Sequence, residues 1–241
     1  MKENYENKTK AKLLRRTPVI IRLDGKAFHT FTKGFKKPFD DILTDVMQQT
    51  MLILCKEIQG CVLGYTQSDE ITLVLIDYGK LKTAAWFNYD VQKLCSVSAS
   101  IATLAFNMCF MSIMTRHPMH IDDPHVKAAM KGALFDSRCF NVPKEEVANC
   151  ILWRQQDAIR NSINSVGQAN FSYKELQGLS INQILEKLLK EKQLNWNSLP
   201  IHLQIGSCYI KGNIDGIDSW FIDTEIPIFK GKDRDYIEKL I

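Results

Sequence analysis

The chain has 241 residues, 45% of them apolar and 24% charged, with 31 basic against 27 acidic side chains. That is enough apolar content for a buried core, which argues against general disorder; a formal net charge of +4 leaves nucleic-acid binding to a local basic surface rather than to the field of the whole chain. Seven cysteines, at 55, 61, 95, 109, 139, 150 and 208, form no Cys-x-x-Cys pair and sit mostly among apolar neighbours, so they read as reduced core residues of a cytoplasmic protein.

Lys8, Lys10, Lys12, Arg15 and Arg16 read most simply as a solvated basic arm over residues 1–17. Pro18 to Leu23 is β-branched and bounded by Pro and Gly, which predicts a strand. Phe39 to Ile58 repeats apolar residues at helical spacing. Cys61 to Tyr65 and Ile71 to Ile76 predict two strands around a Gln67-Ser68-Asp69 turn. A long helix, open to interruption, is expected from Thr83 to Met114, and a strand from Ala133 to Phe140. The longest apolar stretch, Ser100 to Met114, falls short of the ~20 residues of a membrane span, and no N-terminal segment resembles a signal peptide. A buried helix and no membrane partner are expected.

The order βαββαβ is the ferredoxin-like arrangement, an antiparallel sheet with both helices on one face. The predicted class is therefore α+β, a catalytic unit over residues 18–142 followed by a mainly helical part over 143–241, with Pro143 at the boundary. Helices are expected from Glu146 to Ser165 and from Ile181 to Lys192, and turns around Gly206, Gly212 and Gly216. In this topology the first and third strands are neighbours, so the end of the first lies beside the turn joining the second and third.

Two acids stand at those places. Asp24 closes the first strand and Asp69 sits in the turn, so their oxygens are expected to converge on one pocket. Mg²⁺ takes hard oxygen ligands and keeps waters and substrate phosphates as the remainder. Two ions held by Asp24, Asp69 and the Gly25 carbonyl could clamp an in-line phosphoryl displacement. An isolated Asp-Gly is more simply a turn; the second acidic segment is what raises it to a candidate site. Glu70 follows Asp69 and should point to the opposite face of the strand, as catalytic support or as half of a salt bridge. Ser68 could donate to a phosphate oxygen. His117, His120 and His125 with Asp122 and Asp123 invite a zinc reading, but their spacing and two prolines favour a solvated loop. Trp153, Arg154, Asp157, Arg160 and Asn161 mix an aromatic, cations and polar groups on a predicted helix, suiting RNA contact by stacking and phosphate pairing or internal packing with an ion pair.

Five segments in order, Arg22-Leu-Asp-Gly-Lys-Ala-Phe-His29, Lys37-Pro-Phe-Asp40, Gly64-Tyr-Thr-Gln-Ser-Asp-Glu70, Phe135-Asp-Ser-Arg138 and Trp153-Arg-Gln-Gln-Asp157, resemble the tRNA-histidine guanylyltransferase family. The similarity is greatest to its bacterial and archaeal-type branch, which repairs tRNA 5′ ends. The resemblance implies a polymerase-like palm, a template-dependent 3′-to-5′ nucleotidyltransferase, two Mg²⁺ ions, ATP, GTP and other nucleoside triphosphates as substrates, a 5′-truncated tRNA as partner, and a homotetramer. It implies nucleotide contacts for Arg22, Gly25, Lys26, His29, Lys37, Asp40, Ser68 and Lys93, and RNA contacts for Trp153, Arg154, Asp157, Arg160 and Asn161.

Two positions depart from the family pattern. Asp90 stands one turn before Lys93 where relatives often carry a basic residue, and Ile159 stands where relatives that add guanosine to tRNA-histidine carry a histidine. A hydrophobic side chain cannot supply a lost polar contact, so the repair branch is the expected one. The alternatives are a palm-fold nucleotide cyclase and a non-catalytic tRNA-binding protein.

Overall fold

Val19, Ile20 and Ile21 are β-branched and fully buried, so the strand they open, β1 (Val19–Gly25), meets apolar neighbours on both faces. The computed structural model describes residues 1–116, 120–214 and 217–241. After β1 come α1 (Phe28–Phe31), α2 (Asp41–Glu57), β2 (Cys61–Gln67), β3 (Glu70–Leu75), α3 (Val91–Met114), α4 (Pro124–Lys131) and β4 (Phe135–Asn141). The chain continues through α5 (Val147–Asn170), α6 (Tyr173–Leu176), α7 (Ile181–Lys192), α8 (Ile201–Ile205), β5 (Ser207–Ile214), β6 (Ile217–Asp223) and α9 (Asp235–Glu238). The strands make one antiparallel sheet in the order β4-β1-β3-β2-β5-β6. The α+β class and the βαββαβ order are those expected from the sequence.

Strand alternation divides the core in two. Val19, Ile21 and Leu23 of β1 join Ile71, Leu73 and Leu75 of β3 against Met51 and Leu54 of α2 and Phe106 and Phe110 of α3. Ile20, Leu63 and Val74 face the other way, toward Val147, Ala148 and Ile151 of α5, Ile205 of α8 and Ile237 of α9. A third cluster, with Ile163 and Val166 of α5 against Ile184 and Leu188 of α7, holds the C-terminal helices together. Asp24 and Arg22 share the β1 face of Ile20, so α5 looks onto the same side of the sheet as the first candidate acid.

The interruption in the long helix falls at Asp90, whose carboxylate accepts from the Lys93 N–H and caps α3. Phe87, Asn88 and Tyr89 just before it are left-handed, with φ of 48°, 50° and 53°. Asp90 is thus accounted for as a helix start, whatever relatives carry there. At 24 residues α3 is long and apolar enough to cross a bilayer, longer than the apolar stretch alone indicated. Its Leu94, Ala102, Phe106 and Phe110 are instead buried in the core.

Three local expectations require correction. Residues 120–122 are the exposed turn expected, but His125 does not stay in a solvated loop: Asp123 caps α4 and Pro124 takes its first turn, where a missing N–H costs nothing. His117 and Gly216 lie outside the described residues. Gly212 is not in a turn but inside β5, paired with Ser219 of β6, and a Cβ there would come within 2.5 Å of the Phe221 ring. The part after Pro143, largely helical as expected, therefore also adds two strands to the same sheet through the β2–β5 pairing. Arg15 donates to the buried carboxylate of Asp77, as does the Arg16 N–H, so this end of the basic segment is anchored.

Candidate active site

The β2–β3 hairpin turns through Ser68 and Asp69, with Ser68 left-handed at φ 53° and Gln67 paired with Glu70. The Gly25 N–H donates to the Asp69 carbonyl at 3.1 Å, tying the hairpin tip to the end of β1. On the sheet, Asp24 pairs with Glu70 of β3 on one side and Asp136 of β4 on the other, so three carboxylates stand in a row on one face. Gly25 is followed by a sharp turn: Ala27 is left-handed at φ 55°, and a Cβ on Gly25 would overlap the Phe28 ring.

Asp24 and Asp69 line one cavity of about 470 Å³. Gly25, His29, Lys37, Asp40, Ser68 and Asn161 line it with them. Of the remaining candidates, Arg22, Lys26, Glu70, Lys93, Trp153, Arg154, Asp157 and Arg160 lie outside its wall. Burial is the main force raising the Asp69 carboxyl to about 6, with Asp24 and Glu70 adding repulsion against the opposing hydrogen bonds. Asp24 is pushed up as well, by burial first and then by Glu70 and Asp136. Two carboxylates that hold protons too tightly face one cavity, which is the electrostatic condition a divalent cation relieves.

Among the described residues no group of three or more His, Cys, Asp or Glu is arranged as a metal centre. Two carboxylates with Gly25 beside them line the cavity, and so sparse a set of oxygen donors would fit Mg²⁺, which retains waters and substrate oxygens. It does not fit a structural zinc. His120 is exposed, and its ring nitrogen stands 3.6 Å from Asp122, while both ring nitrogens of His125 are engaged by Asp40 and Asp123.

Glu70 turns away from the cavity and accepts from Arg154 at 3.0 Å and from Arg22 at 3.4 Å. Arg154 is 7% exposed, pairs also with Asp157 and lies 3.6 Å from the centroid of Trp153; Arg22 stacks on the same ring at 5.1 Å. The ion-pair alternative describes Glu70 and Arg154, and Arg154 presents no free surface for RNA. Trp153 is half exposed, and Arg160 is exposed while paired with Asp157. Lys93 sits at the start of α3 with its ammonium 5.7 Å from the Phe87 ring. Lys26 is exposed, its N–H bonded to the Leu134 carbonyl. Ser68 donates to the Asp69 carboxylate at 3.1 Å, and Asp40 caps α2 through the Leu43 N–H.

Part of the lining was not legible in the sequence. Gln48 of α2, Ser165 of α5, His202 of α8 and Ser207 of β5 also line the cavity, with Gln48 donating to the Ser207 hydroxyl at 3.2 Å. Gln48 and Ser165 lie on predicted helices, but no motif marks them; α8 and β5 were not predicted at all.

An antiparallel palm-like sheet that brings two carboxylates to a nucleotide-sized cavity defines a nucleotidyltransferase of the palm class. The chain belongs to the tRNAHis guanylyltransferase family, whose model matches residues 1–143. It is 43% identical to a bacterial tRNA(His) guanylyltransferase-like protein solved in complex with ATP, with a TM-score of 0.88 over 99% of this chain and 96% of that one. A bacterial like-protein solved with GTP is 40% identical, with a TM-score of 0.82 over 99% and 95% of the two chains. The tRNA(His) guanylyltransferase of Schizosaccharomyces pombe is 30% identical over 220 residues, 85% of this chain and 77% of that protein.

Proposed function

We propose that this protein is a Mg²⁺-dependent, template-dependent 3′-to-5′ nucleotidyltransferase that rebuilds the 5′ end of truncated tRNA. The observation that carries the reading is the convergence of Asp24 and Asp69 on one cavity. In the first step ATP transfers AMP to the tRNA 5′-monophosphate with loss of pyrophosphate. In the second, the 3′-hydroxyl of an incoming nucleoside triphosphate attacks the tRNA phosphate and AMP leaves. Two Mg²⁺ ions held by Asp24, Asp69 and the Gly25 carbonyl would supply charge neutralisation at the phosphates. Asp24 and Asp69 fix the place of that charge, Lys37 stands at the cavity as a cation for triphosphate oxygens, and the wall around Asp40 receives the nucleotide. The structural neighbours bound to ATP and GTP support both as substrates here.

Base choice falls to pairing with the opposite strand of the acceptor stem. Ile159, half-buried between the sheet-side core and the C-terminal cluster, offers no polar group for dedicated recognition of tRNA-histidine. We place the activity in the cytoplasm, whose reducing conditions suit seven free cysteines, and expect a homotetramer.

The test is incubation with a tRNA lacking its first nucleotide, a full-length control and each α-labelled triphosphate separately. Incorporation that tracks the opposing nucleotide is the expected result. Guanosine added regardless of template overturns the repair reading, a cyclic nucleotide formed without RNA indicates a cyclase, and tRNA binding without label transfer indicates a non-catalytic binder.

A further inference from the structure

Behind the nucleotide wall, α4 brings a histidine between two carboxylates. His125 Nε2 is 3.0 Å from Asp40 Oδ2 and its Nδ1 is 2.9 Å from Asp123 Oδ1. The ring stacks on Phe35 with centroids 4.1 Å apart, and the side chain is 14% exposed. Asp40 is itself buried: Oδ1 accepts from the Leu43 N–H at 3.0 Å, and Oδ2 accepts from the Lys36 N–H at 3.1 Å besides meeting His125. Phe35, Lys36, Asp40 and Leu43 line the cavity, whereas His125 and Asp123 do not.

We infer that His125 is a positioning residue for nucleotide binding, acting through Asp40; the inference rests on the nucleotidyl-transfer reading above. Capping of α2 needs only Oδ1. Oδ2 holds the segment before the helix, through the Lys36 N–H, and His125 fixes where Oδ2 lies. Each ring nitrogen stands within hydrogen-bond distance of a carboxylate oxygen, and a hydrogen bond to a carboxylate is about twice as strong as a neutral one. The consequence is a stiff link from α4 to residues 35–40, the stretch that carries Lys37 to the cavity. Without it Asp40 keeps its cap but the stretch loses one of its two anchors, so nucleotide affinity falls while Asp24 and Asp69 are untouched.

Three variants of the full chain separate this from a packing role. His125→Gln places an amide nitrogen where Nε2 stands and keeps Asp40; His125→Asn places one where Nδ1 stands and keeps only Asp123; His125→Ala keeps neither. With Mg²⁺ present, the Kd for ATP should rise about tenfold in the Asn and Ala variants, the effect of one lost charge-assisted hydrogen bond. The transfer rate at saturating ATP should stay within about twofold of wild type, and Gln should bind as wild type does. Hydrogen exchange at the Lys36 amide should quicken in Asn and Ala alone. Asn and Gln variants that bind and exchange alike overturn the inference while leaving the nucleotidyl-transfer reading intact. A wild-type chain that binds ATP neither with nor without tRNA sinks that reading and the inference with it.

Discussion

The Gly25 N–H and the Asp69 carbonyl are joined at 3.1 Å, so the two acid-bearing segments are fastened by their backbones before any ion is bound. Gly25 has no room for a side chain, because a Cβ would overlap the Phe28 ring. Gly25→Ala should therefore push Phe28 or the end of β1 aside, at a cost of about 1–3 kcal/mol. Denaturant unfolding measures that cost, and nucleotidyl transfer should fall in parallel because the Gly25–Asp69 link is displaced. An unchanged midpoint with unchanged transfer would show that the turn has slack.

Asp24→Asn and Asp69→Asn keep the shape of each acid and remove its charge. Each should lower transfer at saturating Mg²⁺ by about 10³-fold or more, since in the proposed mechanism several kcal/mol of charge stabilisation depend on the ions these residues would hold. Circular dichroism should be unchanged. Turnover near wild type in either variant would remove that residue from the site.

Asp69 also makes a pH-dependent prediction. Its folded-state value of about 6 lies above the ordinary carboxyl value of about 4, so the folded protein prefers the protonated form. Its contribution to stability is complete below about pH 4 and is lost as pH rises through about 6. In metal-free protein Asp69→Asn should thus be more stable than wild type above pH 6, by on the order of 1–2 kcal/mol once solvent screening of this half-buried group is allowed for. The difference should vanish near pH 4. Added Mg²⁺ should stabilise wild type at pH 7.5 and the variant much less; a variant less stable than wild type at pH 8 without metal would refute the account.

What the sequence disclosed depended on local signals. Asp24 and Asp69 were readable because each abuts a run of β-formers, and the βαββαβ order fixes which strand ends meet. Glu70 shares the face of Asp24, and what keeps it out of the cavity wall is its pairing with Arg154 and Arg22, which alternation along the strand does not contain. The lining by Gln48, Ser165, His202 and Ser207 was not readable: α8 is five residues long, and Gly212 makes β5 look like a turn although the glycine answers to Phe221 across the ladder. The two prolines hid α4, since Pro124 is a breaker inside a helix and acceptable in its first turn. The burial of Arg154 depends on Glu70, 84 residues away in sequence, and no spacing rule along α5 contains that.

The Glu70–Arg154 pair yields a stability prediction distinct from catalysis. Arg154 is 7% exposed and its Nε has no partner among the described residues, so Glu70→Ala leaves a buried guanidinium with Asp157 at 3.4 Å as the remaining carboxylate among them. The expected loss is about 2–3 kcal/mol, at or below the lower end for breaking a buried pair because the Glu70 side chain is 29% exposed. Glu70→Ala combined with Arg154→Met should recover part of it, since no charge is then stranded. A double-mutant cycle by urea unfolding decides, and additive losses would exclude the coupling.

Ile159 tests how the chain selects RNA. It packs against both the sheet-side core and the C-terminal cluster, so its place in the fold is apolar, whereas the family resemblance implies a histidine there for guanosine addition to tRNA-histidine. If recognition needed only that imidazole, Ile159→His would install it. The surroundings argue otherwise: a polar ring without a prepared partner at a half-buried site should cost about 1–3 kcal/mol, and Arg154, Asp157 and Arg160 nearby are already committed to one another and to Glu70. Ile159→His should therefore unfold at lower urea and show no preference for tRNA-histidine over another tRNA shortened by one nucleotide. Competition between the two substrates in one reaction measures the preference. A variant that gains it at undiminished stability would mean the histidine alone carries recognition, and that a single residue separates repair from guanosine addition.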